Sequence, residues 1–264
     1  MKAADVSQVW SALDRAHLAE VARSGPEPLF ATISGAHLYG FASPNSDVDL
    51  RGAFVLPVRD LLALGRPHET HSISRNDGDL ELDWVAHDVR KFVRMMIRDN
   101  GYVLEQLFSP LVVVGGPKHD ELRELGRGCV TRGLVRHYRG FARGRRTLLD
   151  KPGATVKHLL YAYRVYLTGI HALTSGIIES HLPVLNELFR LSQVTELIVR
   201  KREGTEKTPL EPAEIEQHRG WLDELEVRLD AAHAASTLPQ RPTTIDALDE
   251  FVVRVRVRQD EARP

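Results

Sequence analysis

The sequence predicts an α+β fold, with a sheet-bearing domain over residues 1–117 and an all-helical C-terminal domain over residues 118–264. Three observations predict it. Short apolar runs, bounded by Gly, Pro and Ser clusters, crowd residues 28–85 in the manner of strands. Gly115-Gly116-Pro117 then interrupts the chain. Beyond that break nearly every segment carries apolar residues at helical spacing.

The elements follow in order. Asp5 to Ser24 reads as a helical opening, with Val6, Val9, Trp10, Leu13 and His17 on one face. Pro28 to Ser34 is a mostly apolar run that ends at Gly35, as a buried strand would. Gly40 follows, and Ser43-Pro44-Asn45-Ser46 is turn chemistry. Val48 to Leu56 reads as a second strand. Asp79 to Val85 alternates cleanly, with Leu80, Leu82 and Trp84 on one face and Asp79, Glu81 and Asp83 on the other. Asp88 suits a helix N-cap ahead of the stripe Val89, Phe92, Val93 and Met96, and Asn100-Gly101 reads as a helix stop. Leu111 to Val114 is a short apolar run. Further helices are expected over Thr155 to Leu173, Leu182 to Val199, Ala213 to His233 and Thr244 to Arg258. A polar loop is expected at Glu203 to Pro209, and a turn between Pro239 and Pro242.

The chemistry concentrates between Ser34 and Gly52. Asp47 and Asp49 stand at i and i+2 at the start of a strand, so their carboxylates share a face. Two like charges side by side call for a compensating cation. Mg²⁺ suits them, because it takes oxygen ligands and is usually held by one or two carboxylates plus substrate phosphates. Gly35 and Gly40 permit a main-chain turn whose N–H groups face an anion. Together these features point to a metal-dependent phosphate site.

This segment resembles the signature of DNA polymerase β-type nucleotidyltransferases, a Gly-Ser-x-x-x-Gly loop followed by Ser-Asp-x-Asp. It is most similar to the subgroup associated with RNA ligases, through Tyr39-Gly40, Ser46-Asp47-Val48-Asp49 and Leu50-Arg51-Gly52. One departure is clear: Ala36 stands where the family has the serine expected to touch the terminal phosphates. Ser34 or backbone amides remain to replace that hydroxyl. The resemblance implies a core with a short mixed sheet and flanking helices. It also implies a third carboxylate on a neighbouring strand. In similar sequences an acidic residue precedes an Asp-hydrophobic-Arg-Lys-Phe run, here Asp88 to Phe92, which favours Asp83, with Glu81 second. Asp47, Asp49 and Asp83 would then be the catalytic and metal-binding residues for Mg²⁺ or Mn²⁺. Gly35, Ala36, Gly40 and Ser46 would meet a nucleoside triphosphate such as ATP. The segment from Val103 to Pro110 resembles the family's Glu-x-Leu-Phe stretch, which makes Glu105 a candidate for a supporting role.

The implied reaction transfers a nucleoside monophosphate from a triphosphate to an acceptor hydroxyl, an RNA end in the favoured reading. Two alternatives stay open. One is nucleotidylation of a protein or an aminoglycoside-type small molecule. The other is a non-catalytic nucleotide- or RNA-binding module, which Ala36 suggests.

Composition bounds the rest. A formal net charge of −1 supplies no global basic field to gather nucleic acid. Charge is uneven, however. Arg132, Arg136, Arg139 and Arg143 recur at helical spacing, as either an RNA-holding stripe or a solvated helix face. Lys157, Tyr161 and Arg164 share a helix face suited to a base and a triphosphate, which an ordinary amphipathic helix would also present. His37 lies inside the glycine loop. His68 and His71 lack the partners of a metal site. Cys129 is the only cysteine, so no internal disulfide forms. No run is long and apolar enough for a membrane span, and no apolar signal region opens the chain, so a cytoplasmic protein with no membrane partner is expected.

Overall fold

The computed structural model of the chain describes residues 1–77, 80–203 and 209–261. It is α+β, with one mixed five-stranded sheet, flanking helices and a helical C-terminal region. Two compact units make it up. One comprises Ala3–Gly35, Asp47–Cys129 and Pro242–Pro264 and carries the sheet. The other comprises Met1–Lys2, Ala36–Ser46 and Val130–Arg241 and is built of helices.

In the sheet unit the expected single opening helix is two, α1 (Ala3–Ala12) and α2 (Arg15–Arg23). Asp14 causes the break. Its backbone is extended, and its carboxylate accepts from the N–H groups of Ala16 and His17, capping α2. β1 (Pro28–Ile33) leads into α3 (Gly35–Tyr39), a short helix in place of the expected glycine turn. β2 (Val48–Phe54) and α4 (Val58–Leu62) follow. β3 (Thr70–Asp77) is a strand that the sequence pattern does not announce; its Ser72, Ser74 and Asn76 are exposed, so its hydrophobic alternation is faint. β4 (Leu80–Asp88) runs straight into α5 (Val89–Met96), and α6 (Gly101–Phe108), β5 (Val112–Val114) and α7 (Pro117–Arg127) complete the run. Asn100 proves to be the N-cap of α6, accepting from Tyr102 N at 3.1 Å, so the expected helix stop is equally a start. The sheet order is β3-β4-β2-β1-β5. Only β2 and β4 run parallel, and they lie side by side at its centre.

The packing explains this layout. Val48, Leu50, Leu82 and Trp84 fill one face of the sheet, and Phe30 on the other meets Phe92 of α5 edge-on with ring centroids 5.3 Å apart, all fully buried or nearly so. Such burial of apolar surface is the main favourable contribution to folding, at roughly 25 cal/mol per Å².

In the helical unit α8 (Leu134–Arg146), α9 (Val156–Ser175), α10 (Leu182–Phe189), α11 (Ser192–Glu203) and α12 (Pro212–Ala235) pack together. α9 is buried almost all round, as a central helix must be, and meets each of the other four. Gly169 lets α8 approach closely: a Cβ there would lie 2.8 Å from that of Tyr138. The single helix expected over Leu182 to Val199 is interrupted at Arg190, which is left-handed at φ 57°. Asn186 stabilises that break by donating to Leu191 O and accepting from Leu191 N. The chain then returns to the sheet unit with α13 (Ile245–Glu261). No helix among the described residues is long and apolar enough to cross a membrane.

Candidate functional site: a carboxylate pair bridged by one guanidinium

β1 and β2 bring the motif together. Ser34 follows β1, and its N–H donates to Asp49 O at 2.8 Å. Gly35 is left-handed at φ 60°, and a Cβ there would overlap Asp49 Oδ2. The glycine therefore makes room for a carboxylate, a role that its spacing in the sequence does not reveal. Ser34 Oγ is fully buried and makes no hydrogen bond among the described residues.

The parallel pairing of β2 with β4 sets Asp49 directly opposite Asp83. Arg51, two residues on from Asp49, shares their face. Its Nη2 donates to Asp49 Oδ1 at 2.5 Å and to Asp83 Oδ2 at 2.9 Å. Its Nη1 donates to the carbonyls of Leu50 and Asp83, each at 2.7 Å, and its Nε to Tyr102 Oη at 3.0 Å. All five N–H donors of the guanidinium are thereby used. Burial works against its charge, but Tyr102, Asp49 and Asp83 together outweigh that and raise its pKa. The arrangement is a pair of like charges held together by one cation. Their side chains are 18% and 38% exposed for Asp49 and Asp83, against 11% for Arg51, so the pair opens outward on the Asp83 side.

Asp47 precedes β2 and is half-buried, and its carboxylate makes no hydrogen bond or ion pair among the described residues. Glu81 is exposed on the same face of β4, and Asp79 lies outside the described residues. Glu105 is buried on α6. Among the described residues, no three His, Cys, Asp or Glu side chains converge on one point where a metal could sit. The donor chemistry of Asp49 and Asp83 does fit Mg²⁺, which takes one or two carboxylates and completes its shell with substrate phosphates and water.

The helical unit holds the other half of the motif. Ala36 is buried at the start of α3. Gly40 is left-handed at φ 81°, and a Cβ there would fall 2.5 Å from His181 Nε2. Ser43 and Ser46 close the turn on each other. Ser43 N donates to Ser46 Oγ at 2.9 Å, Ser46 N donates to Ser43 O at 2.9 Å, and the two hydroxyls are 3.1 Å apart. Two cations of α11, which no motif in the sequence marks, grip this loop. Buried Lys201 donates to Ser43 Oγ at 2.9 Å, and Arg202 donates to Gly40 O at 2.7 Å. Lys157 is half-buried at the start of α9. Arg164 is 1% exposed and lies 3.8 Å over the ring of Tyr39, which Tyr161 meets edge-on. The arginine stripe of α8 is ion-paired to α12: Arg139 with Asp230, Arg143 with Glu226, and Arg146 with both Asp223 and Glu226. These pairs, not a ligand, account for the helical spacing of Arg139 and Arg143.

The geometry can be set beside known proteins. A family model described as the RNA repair pathway DNA polymerase beta family matches residues 11–254. An uncharacterized protein of Methanocaldococcus jannaschii is 30% identical over 222 residues, which cover 82% of this chain and 88% of that protein.

Proposed function

We propose that this chain, which belongs to the RNA repair pathway DNA polymerase beta family, transfers a nucleoside monophosphate from a nucleoside triphosphate to an acceptor hydroxyl, with an RNA end as the favoured acceptor. The observation that carries the proposal is the pair Asp49 and Asp83, side by side on parallel strands and aimed by Arg51. Asp47, Asp49 and Asp83 would hold Mg²⁺ or Mn²⁺, which when bound neutralises charge on the phosphate oxygens. Arg51 keeps Asp49 and Asp83 in register. Asp83, the more open of the two, is placed to accept the proton of the acceptor hydroxyl. The acceptor oxygen bonds to the α-phosphorus, the bond from that phosphorus to the β-phosphate oxygen breaks, and pyrophosphate leaves. Gly35 contributes by letting Asp49 lie against the backbone where the loop begins.

Incubation with triphosphates labelled at the α-phosphate, Mg²⁺ and a set of RNA, protein and aminoglycoside acceptors tests this. Wild type labels RNA, and the Asp47→Ala/Asp49→Ala variant does so at least about 10²-fold more slowly. Equal labelling by both proteins defeats the proposal. Label on protein or aminoglycoside alone retains the reaction and replaces the acceptor.

A further inference from the structure

Arg139, Arg143 and Arg146 of α8 are ion-paired with α12, whereas the cations of one stretch of the sheet unit form an open track. β4 alternates, so Asp83, Val85 and His87 share the face that carries Arg51. His87 lies four residues beyond Asp83, about 13 Å along the strand. It pairs with Thr70 of β3, whose Oγ1 is 3.1 Å from His87 Nδ1 and accepts from Lys91 Nζ at 2.6 Å. Burial first, then the charges of Lys91 and Arg51, push the pKa of the imidazole down to about 4. Lys91, Arg94 and Arg98 then follow at helical spacing and, with Met95 and Glu69, line one pocket. Glu69 is the single carboxylate among these lining residues. Arg94 and Arg98 are exposed and make no ion pair among the described residues.

α5 is rigidly set for this purpose. Its opposite stripe, Val89, Phe92, Val93 and Met96, is buried. Its N-cap, Asp88, is fully buried and takes both hydrogen bonds of Arg256 Nη2, at 2.7 and 2.8 Å. The basic face cannot turn inward.

We infer that Lys91, Arg94 and Arg98 form a backbone-binding surface for single-stranded RNA, along which the acceptor strand runs past His87 to the Asp49–Asp83 pair. The inference rests on the proposed reading of that pair as the reacting centre, and adds where the acceptor lies. The surface suits phosphates because three cations outnumber its single carboxylate. Its cations suit phosphate contacts, which position a strand and carry no sequence information, so backbone binding with little sequence preference follows.

Fluorescence anisotropy of a short labelled single-stranded RNA, with the full chain over a salt series, tests the surface. Arg94→Glu/Arg98→Glu weakens binding by about tenfold or more at moderate salt. The slope of log affinity against log salt flattens by about 0.7 for each phosphate that is no longer neutralised. Arg94→Gln/Arg98→Gln shows a smaller change in the same direction. Near-ultraviolet circular dichroism and a thermal midpoint like those of wild type exclude misfolding as the cause. Arg139→Gln/Arg143→Gln leaves the RNA affinity unchanged, since those side chains already serve Asp230 and Glu226. Wild-type affinity and slope in the charge-reversed protein overturn the inference. So does binding to anionic phospholipid vesicles with none to RNA. The outcome is separable from the reaction itself. If RNA is labelled normally by a charge-reversed protein that also binds RNA normally, the reaction stands and the surface falls. If RNA binding is lost in the variant while wild type labels nothing, the surface stands and the reaction falls.

Discussion

Arg51 decides how the carboxylates can be used. It sits in a Leu-Arg-Gly run that marks the family resemblance in sequence without showing its task, and it spends all five donors on two carboxylates, two carbonyls and a tyrosine. Removing it leaves two like charges face to face, partly exposed. Arg51→Met is expected to lower stability by about 1–2 kcal/mol in urea unfolding, short of the roughly 3–5 kcal/mol typical of fully buried pairs because Asp83 is substantially solvated. Arg51→Lys recovers only part, since an ammonium cannot fork between two carboxylates while holding Tyr102. Stability unchanged in Arg51→Met would show that the bridge does not hold the pair. Asp47, Asp49 and the two glycines stand out in the sequence because their spacing is local, and in the structure Asp49, not Asp47, is the one that Arg51 bridges to Asp83. The role of Arg51 is not legible in the sequence, because it depends on the pairing of Asp49 with Asp83 across two strands that β3 separates in sequence. Gly35 is legible as a special position but not for its actual task, which is to accommodate Asp49 Oδ2.

Elements are legible where apolar periodicity is strong and illegible where a single residue redirects the chain. α5, α9, α12 and α13 sit close to their expected spans, because each buries a continuous stripe or, for α9, nearly its whole surface. The breaks at Asp14 and Arg190 rest on one cap and one left-handed residue, which leave little trace in a periodicity. β3 escapes notice because its outward residues are polar. Asp88 joins three elements at once: it caps α5, accepts from Leu56 N at 3.0 Å and holds Arg256 of α13. Asp88→Ala strands a buried guanidinium and is expected to cost about 3–5 kcal/mol in chemical denaturation, against about 1 kcal/mol for an ordinary lost cap. His119 of α7 gives a pH signature. It is 1% exposed and stacked on Phe30 with ring centroids 4.5 Å apart. Burial, then Arg123, lowers its pKa from 6.5 to about 4. The unfolded chain binds the proton more readily, so this contribution is full above pH 6.5 and is lost as pH falls through 4. The thermal midpoint of wild type should therefore fall over that window more steeply than that of His119→Gln; parallel curves would contradict the assignment.

At the scale of the whole molecule, a net charge near zero hides a strongly patterned one. Arg139, Arg143 and Arg146 of α8 answer the acids of α12, while Arg94 of α5 and Arg98 just after it are exposed. Sequence periodicity flags the first set and cannot tell the two apart, because pairing depends on which helix packs alongside. The α+β class is legible from the strand-like runs, the break at Gly115-Gly116-Pro117 and the helical spacing beyond it, and the family from the short segment that carries the glycines and paired aspartates. The composition of the two units is less so: residues 36–46 belong with the helices and α13 with the sheet, which no local pattern announces. The reading of this molecule stands on Asp49 and Asp83 forming the reacting centre. Transfer of α-phosphate label from triphosphate to RNA, measured in parallel for wild type, Asp49→Asn, Asp83→Asn and Glu81→Gln, tests it most directly. Transfer should drop by about 10²-fold or more in both aspartate variants and stay near wild type in Glu81→Gln, whose side chain is exposed. Undiminished transfer in Asp83→Asn, or loss in Glu81→Gln alone, would contradict it.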